Sequence, residues 1–408
     1  MALSQKPNII LIVFDTLRWD YFQRFIENDT ILKKALKEFI NFNMAFSPSP
    51  WTLPSHFSLF TGLYPKEHGI HETPNSELKD VFRKARDYTG KFITEIASLG
   101  GYKTVGISTN PMISDLTGFK EKFDEFYTID PGSFLGILSS KTHSRPIQII
   151  KFLTSRAILH FRGFPWNKGY RIALSLFNKK MIDFNPLFVF MNFMEMHEPY
   201  NRTILFDDFP TSIRDMLKIE SLKEKEINKL RTRYYNQINK VRETILNLIK
   251  TLQNLKKFDN SLVIFTSDHG QALKERGYYG HGTFLYDELI HIPLMIKPPI
   301  QYSNKHNPMA YVNLVDIFSF LRAVITGENN PFHLLSKDHT FAEAFGLHLS
   351  KSHFKKYLTD TKAREAYLTL NAPRKAIIKD GIKLCADLNS YVGEYNTLVS
   401  FGEELRQY

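Results

Sequence analysis

Runs of consecutive apolar residues recur at wide intervals along the chain. The three clearest are IILIVF at 9–14, LFVFMNF at 187–193 and SLVIFTS at 261–267. Apolar runs of this length, rich in Val, Ile and Phe, are typical of strands that are buried on both faces of a parallel sheet. The pattern therefore predicts a parallel sheet at the centre of the fold.

A second spacing fills the intervals between these runs. Apolar residues recur every three or four positions over 234–255, which predicts an amphipathic helix with a charged outer face. They are Tyr234, Ile238, Val241, Ile245, Leu248, Leu252 and Leu255. Residues 94–108 (TEIASLGGYKTVGIS) are typical of a helix, a glycine stop and a strand. Strands that alternate with helices predict a layered α/β fold.

Two regions depart from this alternation. The first is a basic, aromatic insertion at about 137–180, within a main domain that we place at 1–335. Pro146 is suited to opening a helix there, and the composition is compatible with lipid or membrane-surface contact through 146–180, although we prefer packing on the core. The second is a small C-terminal α+β subdomain at 336–408, for which short strand patterns predict an antiparallel sheet.

The composition is that of a globular protein, with a net charge of +11. Positive charge favours anionic partners, here a phosphate- or sulfate-ester substrate. We expect no nucleic-acid partner, because the net charge is the only feature of the sequence that would support one. Cys385 is the single cysteine, so no intramolecular disulfide can form. Since the first apolar run is also too short for a signal or membrane segment, we expect a cytoplasmic location, with peripheral membrane contact as an option.

Polar residues follow each apolar run directly. Asp15 follows the first run, His197 lies just past the second, and Asp268 and His269 follow the third. Because ligands bind beyond the carboxyl ends of parallel strands, we expect these side chains at one edge of one sheet. With a hydroxyl group from Thr52 they form a mixed oxygen and nitrogen shell, which suits one divalent ion: Mn²⁺, Zn²⁺ or Mg²⁺, and Ca²⁺ less well.

Thr52 lies in the segment SPWTLPSHFSLFTG at 49–62. By itself this segment is typical of a helix N-terminus, where a hydroxyl group caps a free amide. Beside a bound metal ion the same hydroxyl would have a lowered pKa and would become a nucleophile. The rest of the chain has to decide between a cap and a nucleophile.

The ordered set of motifs resembles the sulfatase branch of the alkaline phosphatase superfamily. The resemblance spans nearly the whole chain and implies an alkaline phosphatase-like αβα sandwich around a mostly parallel sheet, with one active site. The matching segments are PNIILIVFDTLRWD (7–20), WTLPSHFSLFTGLYPKEHG (51–69), GYKTVGISTNPMIS (101–114), MNFMEMHEPY (191–200), VIFTSDHGQALKERGYYGHGTFLYDELIHIPLMI (263–296) and RKAIIKDGIKL (374–384).

The resemblance also implies a role for particular residues. The implied metal ligands are Asp15, Thr52, Asp268 and His269. The implied catalytic residues are Thr52 as nucleophile, with His197 and His281 at the leaving oxygen; we expect both histidines to act as imidazolium groups and proton donors. The implied substrate-binding residues are His56 and Asn110.

The nucleophile position departs from the family pattern. Sulfatases proper convert a Cys or Ser there to formylglycine, in a motif that ends in Arg, whereas this chain has Thr52 and His56. Threonine cannot give that aldehyde, because its β-carbon carries a methyl group. We therefore predict a metal-dependent hydrolase or transferase of phosphate esters, diesters in the first place, that forms a covalent Thr52 intermediate. A sulfatase that works without formylglycine is the alternative, and a non-catalytic binding protein is the third hypothesis.

Overall fold

The structure is a computed structural model of the 408-residue chain. It describes residues 6–73, 77–129, 168–198, 200, 213–218, 221–302, 307, 309–349 and 353–387. The helix predicted to open at Pro146 lies outside the described residues, as does most of the segment expected to contact lipid. Both therefore stay predictions.

The three long apolar runs form strands, as predicted, and further strands lie elsewhere along the chain. In chain order they are β1 (Asn8–Phe14), β2 (Ile40–Asn41), β3 (Ala45–Phe46), β4 (Lys103–Ser108), β5 (Glu125–Thr128), β6 (Leu187–Phe193), β7 (Ser261–Thr266), β8 (Ala272–Leu273), β9 (Tyr279–Gly280), β10 (Leu294–Lys297), β11 (Val312–Asn313), β12 (His339–Ala344), β13 (Arg374–Lys379) and β14 (Ile382–Asp387).

Helices fill most of the remaining described chain. They are α1 (Trp19–Asn28), α2 (Thr30–Ala35), α3 (Thr52–Thr61), α4 (Pro65–His68), α5 (Leu78–Arg86), α6 (Ile93–Leu99), α7 (Tyr170–Asp183), α8 (Ile213–Met216), α9 (Glu224–Asn254), α10 (Asp287–Ile290), α11 (Leu314–Thr326) and α12 (Thr361–Leu370), with 3₁₀ turns at Asp115–Thr117, Lys120–Lys122, Pro331–Leu335 and Lys355–Tyr357. Helix α9 confirms the periodicity over 234–255. In the part of the chain that the structure describes, no helix has the length and hydropathy needed to cross a membrane.

The main sheet has seven strands in the order β2-β10-β7-β1-β6-β4-β5. β1 lies at its centre and pairs in parallel with β6 on one side and β7 on the other. Strand β10 is antiparallel to both of its neighbours. The sheet is therefore mostly parallel, as predicted.

Side chains of β1 point alternately into two apolar layers. Ile10 and Ile12 face a core that includes residues of α1, α7 and α9. Leu11 and Val13 face a second core that includes residues of α3, α6 and α11. Helices thus cover both faces of the sheet, and the side chains of β1 from Ile9 to Phe14 are all apolar and buried. This arrangement confirms the αβα sandwich.

The C-terminal part contains a separate antiparallel sheet of β12, β13 and β14, as predicted. Backbone amides in and just after β12 donate hydrogen bonds to the main sandwich. The amide of Glu343 donates to the carbonyl of Pro48 at 2.8 Å, and the amide of Phe345 donates to the Glu72 carboxylate at 2.9 Å. These bonds join the small sheet to the segments on either side of helix α3. The domain boundary at residue 335 stays a prediction.

Candidate active site

Polar side chains meet beyond the carboxyl end of the central strands. Asp15 directly follows β1, and Asp268 and His269 lie just past the end of β7. Because β1 and β7 are paired in parallel, both strands end at the same edge of the sheet. The three residues form one group in which a ligand atom of each lies within 4.8 Å of the others.

Two carboxylate oxygens in this group are buried without a hydrogen-bond partner, Asp15 Oδ1 and Asp268 Oδ2. Both lie near the same nitrogen, His269 Nε2, at 3.8 Å and 3.5 Å. Buried polar atoms nearly always have a bonding partner. Two buried oxygens without one, close to the same imidazole nitrogen, therefore indicate a binding position for a ligand. The donor set fits a divalent cation.

The pKa values of the three residues also favour a cation at this position. Burial and the neighbouring Asp268 carboxylate raise the pKa of Asp15 to about 6. Burial raises the pKa of Asp268 to about 7, and burial lowers the pKa of His269. Two buried carboxylates are costly to ionise unless a positive charge lies between them, and a divalent cation would supply that charge.

A tight turn after β1 fixes the orientation of Asp268. Thr16 has a φ of 62°, which is unusual for a β-branched residue. In this conformation its amide donates to Asp268 Oδ1 at 3.2 Å, while its carbonyl accepts from the Tyr234 hydroxyl at 2.6 Å. Since Oδ1 also accepts from the amide of His269 at 2.9 Å, only Oδ2 is left for a ligand.

Thr52 is the first residue of helix α3, and Trp51 is the N-cap residue. Its side chain therefore does not cap the helix. Instead Oγ1 donates to Asp15 Oδ2 at 3.4 Å and lies 3.3 Å from His269 Nε2. The structure thus brings together the four side chains that the sequence analysis assigns to the metal, and the cap interpretation of Thr52 is wrong.

The imidazole of His269 is held by its own backbone. Nδ1 donates to the carbonyl of Gly270 at 2.8 Å, which leaves the lone pair on Nε2, the nitrogen beside Thr52 and the two carboxylates. A Cβ atom at position 270 would lie 2.2 Å from the carbonyl oxygen of Glu288. The Asp-His-Gly sequence therefore needs its glycine for this close approach of two backbones.

Asn110 contacts the Asp15 carboxylate. Its Nδ2 donates to Asp15 Oδ2 at 2.6 Å, and its Oδ1 accepts from the amide of Met112 at 2.8 Å. The residue is buried. In this geometry Asn110 orients the Asp15 carboxylate.

His56 is fully buried under the first turn of α3. Its Nδ1 donates to the carbonyl of Thr52 at 2.9 Å, and its Nε2 accepts from Asn192 Nδ2 at 2.9 Å. Both ring nitrogens are thus used within the protein, and His56 ties helix α3 to strand β6. The substrate contact expected from the sequence has no free nitrogen to make it in this geometry.

A second group of side chains lies beside the first. His197, Glu198 and His281 each offer a ligand atom within 4.8 Å of the others. The ring centroids of His281 and His269 are 4.7 Å apart, so the two groups are adjacent. His197 and Glu198 are half-buried, in contrast to the fully buried first group. The second group therefore forms the more open side of the site.

The two histidines of this second group have opposite pKa shifts. Burial opposes protonation of His197, but the carboxylates of Glu198 and Asp15 outweigh burial and raise its pKa. Burial, together with the nearby His269 and His197, lowers the pKa of His281 well below its usual range. The sequence analysis expects imidazolium at both positions, and these shifts favour it only at His197.

Comparison with known proteins identifies the family. A family model described as Sulfatase matches residues 7–325. The chain belongs to the sulfatase family. Its match begins just before β1 and ends within α11, so it includes every strand of the main sheet. The resemblance noted in the sequence is thereby confirmed.

Curated relatives of this sulfatase-family protein are distant. It is 23% identical over 366 residues to the Drosophila melanogaster extracellular sulfatase SULF-1 homolog, which covers 80% of this chain and 31% of the relative. It is 21% identical over 373 residues to the Escherichia coli uncharacterized sulfatase YidJ, with 80% and 70% covered. It is 24% identical over 292 residues to human N-acetylgalactosamine-6-sulfatase, with 66% and 51% covered. The chain thus spans about a third of the fly protein and half of the human one.

Solved structures support the fold. The phosphonate monoester hydrolase of Agrobacterium radiobacter superposes with a TM-score of 0.64 at 16% identity, covering 98% of this chain and 95% of that one. The C-terminal periplasmic domain of EcEptC from Escherichia coli, solved as a complex with Zn, gives a TM-score of 0.53 at 14% identity, covering 82% and 87%. Likeness at this identity establishes the architecture alone.

Sequence reasoning missed three residues of the site. Glu198 and Gln271 join the second group, and His348 stacks on His281 with ring centroids 5.3 Å apart. His348 also stacks on Trp51, at 5.6 Å, and comes from the C-terminal part of this sulfatase-family chain. Glu198 follows His197 directly, which was an available signal; nothing local marks Gln271 or His348.

Proposed function

We propose that this protein is a metal-dependent hydrolase or transferase of phosphate or phosphonate esters, in which Thr52 is the nucleophile. The observation that supports this most directly is the position of Thr52 Oγ1, within 3.4 Å of both Asp15 Oδ2 and His269 Nε2. A hydroxyl group at the N-terminus of a helix, beside two carboxylates and an imidazole, is arranged to be ionised and to attack.

In the proposed reaction the Thr52 hydroxyl passes its proton along its hydrogen bond to Asp15 Oδ2, and its oxygen attacks phosphorus. The bond from Oγ1 to phosphorus forms as the bond from phosphorus to the leaving oxygen breaks, and that oxygen takes up a proton from the imidazolium of His197. Water or a second alcohol then displaces the phosphoryl group from Thr52. A divalent cation held by Asp15, Asp268 and His269 would lower the pKa of the hydroxyl and offset the charge of the phosphoryl oxygens.

The chain's own residues set the geometry of the attack. Asn110 and the amide of Thr16 orient the Asp15 and Asp268 carboxylates through hydrogen bonds of 2.6 Å and 3.2 Å. His56 holds the carbonyl of Thr52 and so fixes the first turn of α3. Side chains held in this way lose little further freedom on binding, which favours the in-line approach that phosphoryl transfer needs.

Chemistry favours phosphorus over sulfur as the electrophile. Attack of an unmodified alkoxide on a sulfate ester would leave a stable sulfo-enzyme, because Thr52 has no aldehyde hydrate with which to expel sulfate. Two solved relatives by fold are phosphonate monoester hydrolases, and another is the periplasmic domain of a phosphoethanolamine transferase. Their names extend the candidate substrates to phosphonate monoesters and phosphoethanolamine donors.

A sulfatase that acts without formylglycine is the second candidate, because the curated relatives are named as sulfatases. Both candidates are tested on one panel of aryl phosphate monoesters, diesters, phosphonate monoesters and sulfates, with added Mn²⁺, Zn²⁺, Mg²⁺ or Ca²⁺. We expect turnover of a phosphorus ester and, after rapid acid quench, a peptide containing Thr52 that carries one phosphoryl group. Turnover of sulfates alone would overturn the proposal, and no turnover of any ester would favour the non-catalytic hypothesis.

A further inference from the structure

We infer that His348 is a substrate-binding residue, which donates a hydrogen bond from Nε2 to an oxygen of the bound ester. The class of ligand, a tetrahedral oxyanion ester, rests on the proposed function, and the contact holds for phosphorus and sulfur esters alike. His348 lies between β12 and α12, beyond the residues 7–325 that the family model matches. The C-terminal part of the chain would thus supply a side chain to the site in addition to packing beside it.

The ring of His348 adjoins the histidines of the active site. Its centroid is 5.3 Å from that of His281, and the planes of the two rings differ by 12°. The centroid of His281 is in turn 4.7 Å from that of His269 and 5.1 Å from that of His197. The four imidazoles therefore form one continuous group, which extends from the proposed cation site to the C-terminal part of the chain.

His348 also contacts the segment that carries the proposed nucleophile. Its ring stacks on Trp51, the residue directly before Thr52, with centroids 5.6 Å apart and planes 25° apart. In an in-line transfer the attacking and leaving oxygens lie at the two ends of one axis through phosphorus, and the other oxygens lie around that axis. Since the family resemblance places His281 at the leaving oxygen, a residue that stacks on both Trp51 and His281 lies beside those other oxygens.

The two ring nitrogens of His348 have different surroundings. Nδ1 is buried and has no hydrogen-bond partner. It faces Gly282, because a Cβ atom added at that position would lie 2.1 Å from it. No described residue hydrogen-bonds Nε2 either, but Nε2 is not among the buried atoms that lack a partner. Nε2 is therefore the nitrogen that a ligand can reach.

This difference decides which nitrogen carries the proton. Burial, together with the nearby His269 and His197, lowers the pKa of His348 to about 3, so the ring is neutral near pH 7. A proton on Nδ1 would be a buried N–H group without an acceptor, which costs free energy, whereas a proton on Nε2 can be donated to water or to a ligand. A neutral His348 thus presents an N–H donor at its accessible nitrogen, and an oxyanion is a strong acceptor for it.

The surroundings of the other implied substrate-binding residues leave room for such a donor. His56 is one of the two that the family resemblance implies, and both of its ring nitrogens are bonded within the protein. Asn110 is the other, and its Nδ2 donates to the Asp15 carboxylate. The oxygens of a transferred phosphoryl group carry negative charge and are stabilised by donors placed around them. His348 would supply a donor that His56 does not.

The test uses the full-length protein loaded with Zn²⁺ and two variants of His348. His348→Phe keeps an aromatic ring that can stack but has no N–H group, whereas His348→Gln keeps an N–H donor. We expect His348→Phe to raise the Kd of inorganic phosphate, measured by calorimetry, and to lower kcat/KM for the best ester, each by roughly 10–100-fold, the usual effect of losing a hydrogen bond to a charged acceptor. His348→Gln should lose less, and both variants should bind as much metal as wild type.

His71→Phe is the matched control. His71 stacks on Phe345 with centroids 3.9 Å apart, at the same contact with the C-terminal part, and its Nδ1 donates to the carbonyl of Glu72. Its replacement should therefore leave phosphate affinity and kcat/KM near wild type.

Two results would overturn the proposed contact. The first is a phosphate affinity and a kcat/KM that are unchanged in His348→Phe. The second is an equal loss in His348→Phe and His348→Gln, because the ring would then act by packing alone. If His348→Phe weakens phosphate binding while wild type turns over no ester, the proposed function fails and the contact of His348 with the oxyanion stands.

Discussion

Asn110 Nδ2 lies 2.6 Å from Asp15 Oδ2, a shorter contact than the 3.4 Å between Thr52 Oγ1 and the same oxygen. The amide thus holds one oxygen of the carboxylate and leaves Oδ1 for a cation. A hydrogen bond to the carboxylate also opposes the cost of burying its charge. At the proposed metal site Asn110 would therefore support binding through Asp15, which differs from the substrate contact that its sequence position implies.

Asn110→Ala should weaken metal binding by roughly 10–100-fold, the usual effect of removing a group that orients a ligand. Activity should return at saturating metal, because all four proposed ligands remain. Titration of activity against Mn²⁺ concentration measures the shift, and Asn178→Ala, which alters an asparagine on helix α7, is the control. A raised KM with unchanged metal dependence would instead support the substrate-binding role.

Thr52→Ala should lower kcat by at least about 10³-fold, because the covalent step loses its nucleophile. Thr52→Ser should keep measurable activity, since it retains the hydroxyl group. Thr61→Ala, at the other end of the same helix, removes a hydroxyl that bonds to the carbonyl of Phe57 and the amide of Leu63, and it should be near wild type. Near-native turnover by Thr52→Ala would show that water is the nucleophile.

Removal of metal should destabilise the protein, and more so as the pH rises. The pKa values of Asp15 and Asp268 are raised to about 6 and about 7 by burial, whereas unfolded aspartates ionise near pH 4. The stripped protein therefore loses stability between about pH 4 and 7, as the unfolded chain releases protons that the folded chain keeps. Thermal unfolding of stripped and reloaded protein at pH 5 and pH 8 measures this difference.

Asp268→Asn provides the control for that experiment. It removes one buried charge, so the stripped variant should depend less on pH than stripped wild type, and added metal should stabilise it less. Equal melting temperatures for stripped and reloaded wild type at pH 8 would contradict a buried cation site at Asp15 and Asp268.

His68 should make the protein sensitive to acid independently of the active site. Burial lowers its pKa to about 3, and its ring bonds to the Ser58 hydroxyl and the amide of Ile70. Below about pH 6.5 the unfolded chain takes up a proton there and the folded chain does not, so the free energy of unfolding falls by about 1.4 kcal/mol per pH unit. Urea unfolding of wild type and His68→Gln between pH 7.5 and 5.5 should show a shallower pH dependence in the variant. Parallel curves would rule out this contribution.

The sequence predicts the sheet and the convergence of Asp15, Asp268 and His269, for a local reason. Asp15 directly follows β1 and Asp268 comes two residues after the end of β7, so the position of each is set by the strand before it. Parallel pairing of β1 with β7 then brings the residues to one edge of the sheet, and this placement does not depend on the conformation of the loops. No long-range information is needed beyond the order of the strands.

The rest of the site depends on the conformation of loops, and loop sequences lack the periodic apolar pattern from which helices and strands are predicted. Gln271 bridges Glu198 and His281 only because a loop after β6 and a loop after β9 meet. The contact of Asn110 with Asp15 likewise joins positions that are 95 residues apart. Tertiary packing, and not local pattern, decides such contacts, so the sequence analysis assigns His281 and Asn110 to the site without their partners and misses Glu198 and Gln271.

The contacts that attach the small C-terminal sheet to the main sandwich affect which chimeras of sulfatase-family proteins can keep an intact site. Phe345 donates to the Glu72 carboxylate, which also accepts from the Trp51 indole one residue before Thr52, and a side chain at position 282 would collide with His348. Residues 345–348 of the C-terminal part are therefore fitted to the segment around Thr52 of this same protein. A chimera that takes its C-terminal part from a distant relative should fold its two sheets and yet misplace Thr52, unless positions 51, 72 and 282 are exchanged together with it.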